Sequence, residues 1–79
     1  MDFVFLMMKG TEILAVDIVD IEGQNMTTLQ AALQLADEIE DITGKRPSTF
    51  AVLANSDESV WLLQAATKVP ARKEVDHEN

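Results

Sequence analysis

The chain has no cysteine among its 79 residues. That excludes disulfides, thiolate zinc sites and cysteine nucleophiles together. Histidine is nearly absent: His77 is the only one, near the end of a stretch dense in charge and without periodicity. A general base needs a held geometry, which a fraying terminus does not give, so His77 reads as an exposed side chain. Glycine occurs only as Gly10, Gly23 and Gly44, each isolated at a break, so there is no phosphate-cradling loop. The serines (Ser48, Ser56, Ser59) suit turns and caps, and none sits in a G-x-S-x-G elbow.

Positive charge is scarce as well. Six Lys and Arg stand against fourteen Asp and Glu, a net charge of −8. Direct nucleic-acid binding needs cations that displace phosphate counterions. Here the cations are scattered, and the basic pair Lys45-Arg46 abuts an expected helix end. Long apolar runs are also missing. The run at the start, Phe3–Met8, is six residues long and is preceded by Asp2 rather than by positive charge. It fits neither a signal peptide nor the roughly 20 residues of a membrane span. A cytoplasmic protein is the expectation.

What remains is a small, apolar, acidic chain. Seventy-nine residues make one domain, expected over 1–70, with 71–79 as a flexible charged tail. At 47% apolar content the body should fold. A domain this short buries only about 60% of its unfolded surface. Without disulfides or a metal, oligomerisation is the ordinary source of extra burial.

The order of elements can be read from the pattern. Phe3–Met8 and Thr11–Val19, joined through Lys9-Gly10, predict a β-hairpin. Ile13, Ala15 and Val19 fall on one face of the second strand and Leu14, Val16 and Ile18 on the other. Both strands are apolar on both faces, so both faces of the sheet should be covered. Ile21–Asn25 reads as a connection. Thr27 and Gln30 then form a capping box, and Leu29, Ala32, Leu33, Ala36 and Ile39 recur at helical spacing. Gly44, Lys45-Arg46 and Pro47 end that helix. Gln30, Gln34, Asp37, Glu38 and Asp41 share a polar sector. Ala31, Leu35 and Ile42 widen the apolar stripe, which Glu40 interrupts near one edge. A stripe so wide suggests more than one neighbour.

Thr49–Ala54 predicts a third strand. Residues 59–67 suit a helix capped by Ser56, with Asp57 and Glu58 in its first turn and the Ala65-Ala66 pair inside it. A strand over Val60–Gln64 is the alternative. Pro70 ends either one. The expected fold is a small α+β domain, ββαβα, whose three-stranded antiparallel-type sheet has the order 2-1-3 and is packed by helices; ββαββ is the alternative.

The charge pattern supplies the candidate site. Residues 11–41 hold eight acids and no Lys or Arg. Asp37, Glu38, Glu40 and Asp41 crowd one helix end, although like charges at i,i+4 cost a helix about 0.2–0.5 kcal/mol. Asp17, Asp20 and Glu22 cluster before Gly23. Hard cations favour such oxygen clusters, but the spacing is not that of a calcium loop, so no metal and no cofactor are expected. Trp61 is either a core residue or an interface anchor. No nucleophile–base pair or ligand set supports catalysis.

Two functional expectations follow. The first is a non-catalytic protein whose acids (Asp17, Asp20, Glu22, Asp37, Glu38, Glu40, Asp41), with Trp61, dock on a basic protein surface. That surface could belong to a nucleic-acid-binding protein, making this chain an inhibitor or nucleic-acid mimic of the phage anti-defence (anti-CRISPR or antirestriction) type in size and charge, without a shared motif. The second is a self-associating structural or regulatory subunit, a homodimer without enzymatic activity.

Overall fold

A computed structural model of the chain describes residues 3–57 and 60–72. The elements run β1 (Phe3–Lys9), β2 (Glu12–Val19), α1 (Ile21–Gln24), α2 (Thr28–Thr43), β3 (Thr49–Asp57) and β4 (Val60–Lys68). The four strands form one antiparallel sheet in the order β2-β1-β3-β4. The architecture is α+β. The most apolar strand, β1, lies inside the sheet between β2 and β3, as the 2-1-3 order requires.

The connectivity is ββαββ, with the short α1 added. The helix preferred from sequence over 59–67 is instead β4, which pairs with β3 from Thr49↔Lys68 to Asp57↔Val60. Helix propensity at Ala65-Ala66 is a small local term, and an open β3 edge offers a whole ladder of backbone hydrogen bonds in its place. Ser56, expected to cap that helix, and Asp57, expected in its first turn, extend β3 instead. Trp61 therefore belongs to a strand. Its side chain, and residues 73–79 with His77 and most of the expected tail, lie outside the described set.

Local chemistry accounts for the other boundaries. Gly10, with φ at +62°, makes the hairpin turn that a side chain would strain. Thr27 Oγ1 accepts the Gln30 N–H at 3.1 Å, while the Thr27 N–H donates to Gln30 Oε1 at 2.8 Å, so the capping box is complete. Gly44 closes α2 in the left-handed region, its N–H bonded to the Glu40 carbonyl.

The core lies between the sheet and α2. Phe5 and Met7 of β1, Phe50 and Val52 of β3, and Ala31, Ala32, Ala36 and Ile39 of α2 form it with Ile21 of α1. Phe5 and Phe50 stack with centroids 6.2 Å apart. The small alanines let the helix lie close on the aromatic pair. Leu29, expected in this stripe, is exposed, and Ala31, expected at its margin, is buried. The helix is thus rolled by part of a turn relative to the expected stripe.

A bulge changes the faces of β2. Met7 pairs with Ala15 and Met8 with Ile13, so Leu14 has no partner and the alternation slips by one residue. Leu14 and Ala15 both pack against the core, and Ile13 joins Val16 and Ile18 on the opposite side.

Candidate functional site

Three features lie outside the core: the open sheet face, the acidic end of α2, and a cleft beside β2.

The open face is the side of the sheet away from α2. Val4, Leu6 and Met8 of β1 alternate with the core residues Phe5 and Met7, and they are only half-buried. Their register partners across both ladders are Ile18, Val16 and Ile13 on β2 and Leu53, Ala51 and Thr49 on β3. Ile13, Val16 and Ile18 are 55%, 56% and 70% exposed. Full coverage of both faces was expected, yet among the described residues no element lies on this one. Among the described residues Lys68, paired with Thr49, is the one charged position that the register places on this side.

The acids are on the other side, and much of their charge is matched within the chain. Arg46, whose side chain is 16% exposed, reaches Asp37 at 2.7 Å and Glu40 at 3.1 Å. Its Nη2 also donates to the Pro70 carbonyl at 2.9 Å. Arg72 reaches Asp41 at 2.7 Å and lies 3.7 Å from Asp37 and 3.8 Å from Glu40. The hydrogen bond from Arg72, with its positive charge, holds the Asp41 carboxyl below its ordinary value; the same partner raises Arg72. Lys45 approaches Glu12 at 3.6 Å. The basic residues near the helix end thus fold back onto the acidic turn, and so tie the segment after β4 to α2.

Asp20 is a helix cap: its Oδ1 accepts the Gly23 N–H at 2.9 Å. Asp17, Asp20 and Glu22 therefore do not act as one cluster, and among the described residues no three metal-ligating side chains gather. Asp17, Glu22 and Glu38 have no ion-pair partner among the described residues. Asp17 is a half-buried carboxylate on the edge strand opposite Phe5.

The cleft, of about 160 Å³, opens between the end of β2, the α1–α2 link and one face of α2. Ile18, Val19, Met26 and Leu35 supply its apolar lining; Gln24, Gln34 and Glu38 supply its polar one. Ala31, Gln34, Leu35 and Glu38 all reach it because residues three, four and seven apart share a helix face. The width of the α2 stripe, read from sequence as contact with more than one neighbour, comes in part from Ala31 and Leu35, which line this cleft. The α1–α2 link that completes it carried no sequence signal.

No helix among the described residues is long and apolar enough to cross a membrane. Comparison with protein-family models, curated proteins and solved structures finds no match for this chain.

Proposed function

We propose that this protein is a non-catalytic, self-associating subunit, and that the open sheet face is the interface between two copies. The observation that carries this reading is the row of exposed Ile13, Val16 and Ile18 beside half-buried Val4, Leu6 and Leu53 on a face that no described element covers. Contiguous apolar surface of this kind marks an interaction site.

Two arguments favour a second copy as the occupant. The first is charge. Apart from Lys68 at one margin, the open face carries no described charge, while the matched and unmatched acids of α2 lie on the opposite side. Two chains of net charge −8 can join faces and keep their acidic layers outward and far apart. The second is area. Four strands spaced about 4.8 Å apart, each about 25 Å long, give about 500 Å² in projection per protomer. Two such faces remove about 1,000 Å², the lower bound for a specific interface, before the relief of the side chains is counted. Sheets packed face to face lie about 10 Å apart with interdigitated aliphatic side chains. The product is a helix–sheet–sheet–helix sandwich in which both faces of each sheet are buried.

Light scattering on the eluting protein at micromolar concentration tests this. A mass of twice 8.7 kDa is expected, and a clean 8.7 kDa species would overturn the reading.

A second reading, an acidic protein that docks on a basic protein surface, is favoured by one observation: Asp17, Glu22 and Glu38 remain without a cation among the described residues. In the proposed dimer these acids stay outward on each helical layer. Binding of this kind weakens steeply with salt, so an affinity unchanged between low and high ionic strength would exclude it.

A further inference from the structure

The cleft and the free edge of β2 belong together. β2 ends the sheet, so among the described residues one side of its backbone has no partner strand. An unpaired edge is a template for an added strand. The cleft starts where that edge ends, at Ile18 and Val19, and continues onto α2. Its size decides what it can take. At about 160 Å³ it is smaller than the roughly 300–1,000 Å³ of cofactor and substrate pockets. A cavity of about 150 Å³ holds a group the size of benzene, which is one large apolar side chain. The lining has the same logic. Val19, Met26 and Leu35 offer apolar contact, Gln24 and Gln34 can exchange hydrogen bonds with a passing backbone, and Glu38 is a carboxylate with no cation partner among the described residues.

We infer that the β2 edge and this cleft bind an extended, basic peptide segment. The segment adds to the sheet as a strand beside β2. One aliphatic side chain enters the cleft, and a lysine or arginine two residues along, on the same side of the strand, meets Glu38. Side chains two apart in an extended strand point to the same side, so a sequence with an apolar and a basic residue two positions apart, separated by a small polar residue, is the one that fits. The site gives the basic-partner reading a location and a partner class. It does not depend on dimerisation through the open face, with which it shares only Val16 and Ile18.

The test uses the full chain, nitrogen-15 labelled, titrated with a capped serine–leucine–serine–lysine–serine pentapeptide. Amide shifts are expected at Val16–Val19 and Gln34–Glu38. Glu38→Lys should weaken binding by about fivefold, the scale of a partly exposed ion pair. Gln34→Arg, on the same rim, should weaken it too. Asp41→Lys makes the same charge reversal on the same helix, outside the cleft lining, and should change affinity by less than about twofold. Absence of shifts, shifts confined to the open face, equal losses for Glu38→Lys and Asp41→Lys, or equal binding of the same peptide with glutamate in place of lysine would each overturn the inference. Both rim variants are at exposed positions, and a dispersed amide spectrum confirms that each is folded before titration.

Discussion

The two sides of this sheet are built from the same strands and differ in what lies on them. On one side Phe5, Met7, Phe50 and Val52 meet the alanines of α2 and are almost fully buried. On the other, Val4, Leu6 and Leu53 alternate with them in sequence and are only half-covered, and Val16 and Ile18 stand in water. The side chains are equally greasy on both sides. The difference therefore comes from the supply of covering elements: among the described residues one long helix covers one face of the four-stranded sheet, and no element lies on the other. The uncovered face is the one to which the proposed second copy is assigned.

The largest effect that sharpens this comparison is on the covered side. Phe5→Ala removes a buried ring and its stack on Phe50, and should cost about 3–5 kcal/mol in denaturant unfolding. The matching change on the open side is Ile18→Lys. Its side chain is already 70% exposed in the single chain, so the fold should survive with a native circular-dichroism spectrum while the dimer dissociates. If Ile18→Lys unfolded the monomer as Phe5→Ala does, the two sides would not differ as described.

Much of the fold can be read from local signals. The capping box at Thr27 and Gln30, the left-handed Gly44, the hairpin at Gly10 and the 2-1-3 strand order all rest on short-range chemistry or on one topological step. The choice at 59–67 could not be made this way, because β4 is a strand on account of the vacant β3 edge, a contact between elements. The same holds for β2. Its bulge at Leu14 moves Ile13 to the open face, and no periodicity shows an inserted residue in advance. The acids were legible as a cluster. Their neutralisation was not, because Arg72 is 31 residues from Asp41 in sequence and is brought to it by the path of β3 and β4. Sequence reasoning thus found the charge and overestimated how much of it is free.

Smaller effects test the rest of the account. Gly44→Ala meets no steric obstacle but keeps φ at +79°, so it should cost about 1–2 kcal/mol through the backbone alone. Thr27→Ala removes the cap and should cost about 1 kcal/mol. Both losses should appear equally in the dimer and in monomeric Ile18→Lys, because both sit on the helix side. A cap effect that vanished in the monomer would couple the two sides of the sheet.

The smallest effect concerns the ion pairs. Asp41 is held below its ordinary value by Arg72, so this pair adds stability at neutral pH that is lost as pH falls through the lowered value. Arg72→Gln should move the Asp41 titration up toward the ordinary aspartate range, read by carboxyl NMR. It should leave the fold and the dimer in place, since exposed pairs contribute little. An Asp41 titration unchanged by Arg72→Gln would remove this contact from the account.

The central claim is that the bare sheet face is where two copies meet. An isotope-filtered NMR experiment on a mixture of carbon-13-labelled and unlabelled chains sees contacts between copies only. Contacts among the methyl groups of Val4, Leu6, Val16, Ile18 and Leu53 across the two copies are the expected result. A complete lack of contacts between copies, or contacts confined to the edges of β2, would contradict it.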